Sequence, residues 1–125
     1  MRLLIVLVGG GLGSVARYLT STVMAAQFGA AFPWGTFAVN VAGGLLIGFL
    51  ATLADERGLI GPQTRLFLVV GFLGGFTTFS SFSLETLRLA EGGEFLPAAL
   101  NVLGNVALAL LAAGIGINLG RVVEK

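Results

Sequence analysis

The chain has 125 residues, of which 56% are hydrophobic and 10% are charged, and its mean hydropathy is +0.99. Few water-soluble domains have this composition, and the length suits one domain at most. The net charge of +1 leaves no broad charged face for nucleic acid. With no Cys and no His, disulfides, thiol nucleophiles, zinc clusters and imidazole bases are excluded, and we expect no enzyme. The apolar composition instead indicates a protein of the lipid bilayer.

Four stretches are apolar enough to cross a bilayer, which takes about 20 residues of helix. These predicted helices cover residues 3–26, 35–54, 65–89 and 95–120, and together they form a single all-α membrane domain over residues 1–125. The connectors are short and carry turn or charge signals, namely Pro33, Pro62 and the pair Gly92-Gly93.

The first predicted helix has two other interpretations. Arg2, the apolar run after it and the small residues Ser14 and Ala16 resemble a secretory signal with its cleavage site. The uncharged stretch from 18 to 54 continues without a soluble domain, which favours a retained membrane helix. The glycines at 11 and 13 also match a dinucleotide-binding pattern. That pattern needs an acidic residue about 20 positions later, and none occurs between 18 and 54, so the match is accidental.

Arg17 lies about two-thirds of the way along the first predicted helix. An arginine at membrane depth usually faces a water-filled cavity or a partner. One interpretation is that its long side chain extends to the nearer interface. The other is that it draws anions into a vestibule.

Asn40 stands in the middle of the second predicted helix, where Thr36 and glycines 43, 44 and 48 continue roughly the same face. In the last helix, Asn101 and Asn105 are four residues apart and therefore share a face. An amide in hydrocarbon needs hydrogen-bond partners. The three asparagines either clasp helices together or line an anion path with their N–H groups.

The third predicted helix contains the sequence GFLGGFTTFSSFSLE at residues 71–85. Two adjacent glycines and five hydroxyl residues in an apolar stretch predict a helix broken at Gly74–Thr78. Since lipid cannot bond a freed backbone, such a break indicates an ion or substrate site. Phe79 and Phe82 are three residues apart and place both rings on one side, where their positive edges could contact a small anion or simply pack. Glu85 is expected to form an ion pair with Arg88.

Each predicted helix also holds two glycines spaced four residues apart: Gly9/Gly13, Gly44/Gly48, Gly71/Gly75 and Gly116/Gly120. Such pairs let another helix backbone approach closely. Four thin helices would hardly enclose an aqueous path alone, so we expect the protein to oligomerise.

Three stretches resemble the signatures of the Fluc (CrcB) fluoride-channel family: GGGLGSVARY at 9–18, GTFAVNVAGGLLIG at 35–48 and GFLGGFTTFSSFSLE at 71–85. The length and the four-helix layout match from end to end. The resemblance implies a passive, fluoride-selective channel in the bacterial inner membrane that lets fluoride leave the cytoplasm and protects against its toxicity. It also implies an antiparallel, dual-topology homodimer with two pores.

The resemblance implies roles for individual residues as well. Asn40, Phe79 and Phe82 match the pore residues, with Thr78 and Ser81 in the hydroxyl-rich stretch beside the path and Arg17 near the vestibule. Gly74 and Thr77 match the positions whose backbone carbonyls hold a central structural sodium ion. Asn101 and Asn105 fall on pore positions where many relatives have Tyr and Ser and others have Asn.

Two rival functions remain open at this point. A proton-coupled small multidrug exporter can also be a four-helix antiparallel dimer, but it needs an acid deep in a helix, and the only candidate is Glu85. A non-conducting assembly subunit would use the asparagines and glycines only to join helices. Five basic residues lie on the side of the termini and favour one orientation in the membrane: Arg2, Arg57, Arg65, Arg121 and Lys125. Either this bias is too weak to fix the orientation, or the chain pairs with a differently oriented paralogue; we expect the homodimer.

Overall fold

The fold of the chain is known from a computed structural model that describes residues 1–124. Five helices follow one another: α1 (Arg2–Phe28), α2 (Trp34–Glu56), α3 (62–76), α4 (Phe79–Glu91) and α5 (Phe95–Arg121). Helices α3 and α4 together make one crossing, so the chain has four helical spans long and apolar enough to cross a membrane. No strand occurs within residues 1–124. The expectation of an all-helical protein with four such spans is confirmed.

Two helix pairs form the frame of the molecule, and in both the paired glycines let the two backbones approach closely. In the first, α1 packs against α3, and a methyl group on Gly9 or Gly13 would collide with the α3 backbone. A methyl group on Gly75 of α3 would likewise collide with the backbone of α1, and one on Gly71 would lie 3.1 Å from the Cα of Gly9. The glycines of the two helices thus face each other, which is the close approach that their spacing predicts.

The second pair, α2 and α5, is built in the same way. Gly44 and Gly48 face the backbone of α5 at Ala109 and Ala113, while Gly116 of α5 faces the backbone of α2. These contacts hold the two helices at a distance that no larger side chain would permit.

Wider π-type turns occur in three of the spans, at Thr52–Glu56, Leu66–Leu73 and Gly104–Leu108. Turns of this kind are rare and often lie at functional sites. The last of them contains Asn105, and the second leads directly into the glycines before the interruption between α3 and α4.

The apolar core is small, because few large side chains are buried between the helices. Val39, Leu73 and Phe82 form its centre, whereas leucines along α1, α4 and α5 face outward. A membrane supplies the apolar surroundings that such outward side chains require.

One end of the bundle carries most of the basic residues predicted to lie on the side of the termini. Arg65 forms an ion pair with Asp55 at 2.8 Å, and Arg121 forms one with Glu56 at 2.9 Å. Arg57 donates to the backbone carbonyl of Val123 at 2.6 Å. Lys125 lies outside the described residues. Two of the five basic residues are therefore balanced by acids beside them.

Candidate functional site

The third span is interrupted at Thr77 and Thr78, within the stretch where the sequence predicts a break. Both residues have extended backbone angles, with ψ of 158° at Thr77 and 117° at Thr78. The hydroxyl of Thr78 then accepts a hydrogen bond from the backbone N–H of Ser81 at 3.1 Å. A Thr in this position satisfies one of the donors left free at the start of a helix, so Thr78 begins α4.

Asn40 of α2 fixes the backbone of the interruption. Its Oδ1 accepts the N–H of Thr78 at 2.9 Å, and its Nδ2 donates to the carbonyl of Thr78 at 3.0 Å. This pairing determines the orientation of the amide, since Thr78 offers one donor and one acceptor. Gly43, one helical turn further along α2, leaves room for the methyl group of Thr77. Helix α2 thus holds both residues of the interruption.

The interruption leaves backbone carbonyls without their usual helical donors. The N–H that would bond to the Gly74 carbonyl belongs to Thr78 and is taken by Asn40. The N–H that would bond to the Thr77 carbonyl belongs to Ser81 and is taken by the Thr78 hydroxyl. These two carbonyls, and that of Phe76, accept no hydrogen bond from residues 1–124.

Free carbonyls at a helix C-terminus carry partial negative charge and can serve as ligands for a hard cation. Gly74 is also exposed, with open space around its Cα. Within residues 1–124 no cluster of acidic side chains could hold a metal ion. Any cation at this place would therefore be bound by backbone oxygens, and Gly74 and Thr77 fit that requirement.

Arg17 of α1 reaches the same helix end. Its Nε donates to the carbonyl of Gly75 at 3.1 Å, so the side chain bonds to the interruption between α3 and α4. A guanidinium at the C-terminus of a helix both satisfies a free carbonyl and interacts favourably with the helix dipole. Because of this contact, the side chain of Arg17 does more than extend toward the membrane surface.

A chain of side-chain amides runs from Asn40 into the last span. Asn40 Nδ2 donates to Asn105 Oδ1 at 2.9 Å, and Asn105 Nδ2 donates to Asn101 Oδ1 at 2.9 Å. Asn101 Nδ2 donates to the hydroxyl of Thr86 at 2.9 Å, and that hydroxyl donates to the carbonyl of Phe82 at 2.7 Å. All donors point the same way. The chain joins α2, α5 and α4 on the side of the interruption.

The two asparagines of α5 are almost completely buried. Asn101 is 0% exposed and Asn105 is 5% exposed. Both N–H groups of Asn105 are used by Asn101, one by its side chain and one by its backbone carbonyl. The bonds of Asn105 to Asn40 and of Asn101 to Thr86 join α5 to α2 and α4, so interhelical bonding is present, as one of the two predicted interpretations requires.

Phe79 and Phe82 lie side by side at the start of α4, with ring centroids 5.4 Å apart and planes tilted by 54°. The two rings have different surroundings: Phe79 is 77% exposed and Phe82 is 8% exposed. Ser81 lies beside them, partly exposed. The shared side predicted from the spacing is present, but only Phe82 is packed into the chain itself.

Beside the interruption lies a cavity of about 480 Å³ that opens to the surface of the chain. Its polar lining comes from Asn40, Thr77, Thr78 and Asn105, and its apolar lining includes Phe79, Phe82 and residues of α2, α3 and α5. Gly74 also borders it. The cavity thus collects the amide, hydroxyl and aromatic groups that the sequence suggests for an anion path. Ser81, Asn101 and Arg17 do not line it.

The predicted ion pair between Glu85 and Arg88 is wrong. Glu85 Oε1 accepts a hydrogen bond from the hydroxyl of Thr36 in α2 at 2.9 Å, and within residues 1–124 no ion pair closer than 4 Å joins it to Arg88. The prediction from a spacing of three residues took only helix α4 into account, whereas α2 packs against α4 at this position and provides the partner. The side chains of Glu85 and Arg88 both border a second cavity of about 410 Å³ near the start of α2.

Thr36 and Thr86 were not among the predicted site residues, although both join spans through their hydroxyl groups. For Thr36 a signal existed, because it precedes Asn40 by one helical turn on the same face. For Thr86 no signal distinguished it from an ordinary helix residue.

Comparison with known proteins places the chain in a family. The family model described as "CrcB-like protein, Camphor Resistance (CrcB)" matches residues 4–117. The chain belongs to the CrcB family. The resemblance drawn from the three signature stretches is thereby confirmed.

Curated relatives cover nearly the whole chain. The protein named "Fluoride-specific ion channel FluC" of Geobacter sulfurreducens is 51% identical over 95% of this chain and 96% of its own length. Proteins of the same name from Opitutus terrae and Paramagnetospirillum magneticum are each 49% identical, over 90% and 97% of this chain and 87% and 96% of their own. These relatives are named as ion channels, which confirms the expectation that the chain is not an enzyme. With its four spans, the chain is a multi-pass protein of the bacterial inner membrane.

Proposed function

We propose that the protein is a fluoride-specific ion channel that lets fluoride leave the cytoplasm passively and so protects the cell from fluoride toxicity. The names of the relatives support this proposal across the whole length of the chain. The single structural observation that carries it is the interrupted third span, whose backbone is held by Asn40 beside a cavity lined with hydroxyl, amide and phenylalanine groups.

The proposed fluoride path follows this cavity. Fluoride is small and strongly hydrated, so it crosses a membrane only where donors replace its water. Asn40 and Thr78 supply amide and hydroxyl donors in the cavity, and Ser81 offers a hydroxyl beside it. The positive ring edges of Phe79 and Phe82 supply weaker interactions. Asn105 joins the path through its bond to Asn40, and Asn101 supports it through its bond to Asn105. Arg17 attracts anions toward it from the vestibule.

Weak binding is required as well as selective binding, because an ion must leave the path as readily as it enters. Both N–H groups of Asn40 already have acceptors, namely the carbonyl of Thr78 and Oδ1 of Asn105. A fluoride ion that binds to Asn40 must therefore replace one of them. This exchange lowers the net gain from each contact and favours release.

We further propose that two copies assemble as an antiparallel homodimer with two pores. Gly74 and Phe79 support this, since both lie exposed beside the interruption, where lipid would leave a free carbonyl without a partner. A second copy with the opposite orientation would cover the open side of the cavity and bring two such helix ends together.

A structural sodium ion at the centre of this dimer is part of the proposal. The carbonyls of Gly74 and Thr77 would hold it, because their helical donors are taken by other groups. When bound, the ion supplies positive charge that neutralises the paired helix ends. No acidic side chain is needed for this, and none of the described residues offers an acidic cluster.

Fluoride efflux from liposomes tests the channel function directly. Vesicles that contain the purified protein and potassium fluoride are diluted into low potassium, and valinomycin then sets the membrane potential. A fluoride electrode should report rapid release at equal internal and external pH. Matched vesicles loaded with potassium chloride, followed with a chloride electrode, should retain their chloride. Protein-free vesicles provide the baseline.

Each rival function gives a different result in this experiment. Retention of fluoride in vesicles that hold several dimers each would reject the channel. Release that requires a pH gradient would instead indicate a proton-coupled carrier.

A further inference from the structure

The bond between Asn40 and Asn105 lies at the border of the cavity, and both residues line it. Asn105 could present either its oxygen or its N–H groups to Asn40. Asn101 decides between them, because its side-chain and backbone oxygens accept both N–H groups of Asn105, at 2.9 and 2.8 Å. Only the oxygen of Asn105 is left to face Asn40.

The oxygen of Asn105 thus occupies a position that an anion would need. Asn40 has two N–H groups, and the one bonded to Thr78 holds the backbone of the interruption. Replacing that contact would remove one of the two bonds by which Asn40 holds Thr78, whereas replacing the bond to Asn105 would leave both in place. The N–H that points to Asn105 is therefore the one that can be transferred to a fluoride ion.

We propose that Asn105 is an internal competitor of fluoride, whose side-chain oxygen keeps anion binding at Asn40 weak. The inference rests on the proposed channel function and names the residue that sets its affinity. When fluoride enters, it accepts the Asn40 N–H and Asn105 gives it up; when fluoride leaves, Asn105 takes it back. Asn101 is buried and bonded to Thr86, so it keeps Asn105 in the orientation from which its oxygen can accept the Asn40 N–H again.

The proposal predicts an increase in affinity when the competitor is removed. Asn105→Leu leaves the Asn40 N–H without an acceptor, so fluoride no longer displaces one. One hydrogen bond of ordinary net strength corresponds to fluoride binding that is tighter by about two- to tenfold. Because tightly held ions leave slowly, the maximal flux should fall at the same time.

Asn105→Asp is the second variant, and it should change the affinity for fluoride in the opposite direction. The carboxylate still accepts from Asn40, and its negative charge repels the anion, so the half-saturating fluoride concentration should rise. Asn118→Leu is the matched control. Asn118 lies in the same helix, is exposed, and donates only to the carbonyl of Gly114 in its own helix.

Fluoride currents across planar bilayers, recorded over a range of fluoride concentrations, give the half-saturating concentration for each variant. Gel filtration confirms that each variant elutes as the wild type does. A lower half-saturating concentration for Asn105→Leu, a higher one for Asn105→Asp and no change for Asn118→Leu support the proposal. A purely structural role for Asn105 predicts weaker binding for both Asn105 variants.

The result that overturns the inference differs from the one that overturns the channel itself. Unchanged or raised half-saturation in Asn105→Leu, with a conducting wild type, rejects the competitor role alone. If Asn105→Leu does not fold, Asn105→Ala, which also removes the acceptor, takes its place, and an unchanged or raised half-saturation in that variant rejects the competitor role. A wild-type protein that carries no fluoride current rejects the channel function and this inference with it.

Discussion

Arg17 and Gly75 are separated by 58 residues, yet the guanidinium Nε of the first lies 3.1 Å from the carbonyl of the second. The bond links α1 to the last turn of α3, just before the interruption. Next to it, Gly75 is so close to the backbone of Gly10 and Ser14 that no side chain would fit. Helix α1 thus supports the interruption from one side while α2 holds it from the other.

Replacing Arg17 by methionine should therefore destabilise the protein. Methionine keeps most of the length of the side chain but removes the charged donor, leaving the Gly75 carbonyl without a partner. Hydrogen bonds to charged groups contribute about 1.5–3 kcal/mol, so we expect a loss of that size in the free energy of unfolding in detergent. Arg2→Met, at the exposed start of the same helix, is the control and should change little. Equal stability of both variants would contradict the supporting role of Arg17.

The contact between α1 and α3 predicts opposite effects for two glycines in one helix. A methyl group at Gly13 would collide with the backbone of Phe72, whereas nothing lies within 4 Å of one at Gly11. Gly13→Ala should push the helices apart and lower stability by about 1–3 kcal/mol. Gly11→Ala should raise stability by up to about 1 kcal/mol, because alanine favours helix over glycine. Thermal unfolding of both variants in the same detergent measures this. A Gly13→Ala protein as stable as Gly11→Ala would show that the close approach is not needed.

Substitution of the two phenylalanines of the site should slow fluoride efflux in both cases but affect stability differently. Replacing either Phe79 or Phe82 by isoleucine removes a ring edge from the proposed path, so both variants should release fluoride from liposomes more slowly. Only Phe82 is buried within the chain, and we expect a stability cost of about 1 kcal/mol for Phe82→Ile and almost none for Phe79→Ile in the isolated subunit. Fluoride efflux and thermal unfolding are measured on the same preparations. Unchanged efflux in both variants would exclude the ring edges from the path.

Much of this arrangement could be predicted from the sequence because its signals are local. The four spans follow from apolar runs, and the interruption follows from Gly74-Gly75 together with the hydroxyl residues after them. The pairs of glycines predict close helix contacts because a spacing of four residues places both on one face. Which helices would meet was not predictable, since every span carries such a pair.

The partners of the polar residues could not be predicted, because they come from distant parts of the chain. Asn40 meets Thr78 across 38 residues and Asn105 across 65. The single-helix argument for Glu85 failed for the same reason: Thr36, 49 residues away, offers the nearer partner. A spacing rule within one helix cannot include a group that another helix brings in.

The proposed sodium ion gives a prediction that does not depend on fluoride transport. If the carbonyls of Gly74 and Thr77 hold a cation between two subunits, the ion binds only the folded dimer and stabilises it by mass action. The protein should therefore unfold at a higher temperature in sodium chloride than in N-methylglucamine chloride of the same ionic strength. Matching the ionic strength removes general screening, which both salts share.

A variant separates specific sodium binding from a general salt effect. Asn40→Ala frees the N–H of Thr78, which can then return to the carbonyl of Gly74 and compete with a cation for it. The variant should lose most of the difference in unfolding temperature between the two salts, in addition to any overall loss of stability. A wild-type protein that unfolds at the same temperature in both salts would rule out a stabilising sodium site at these carbonyls. If instead the difference persists in Asn40→Ala, the ion is bound elsewhere.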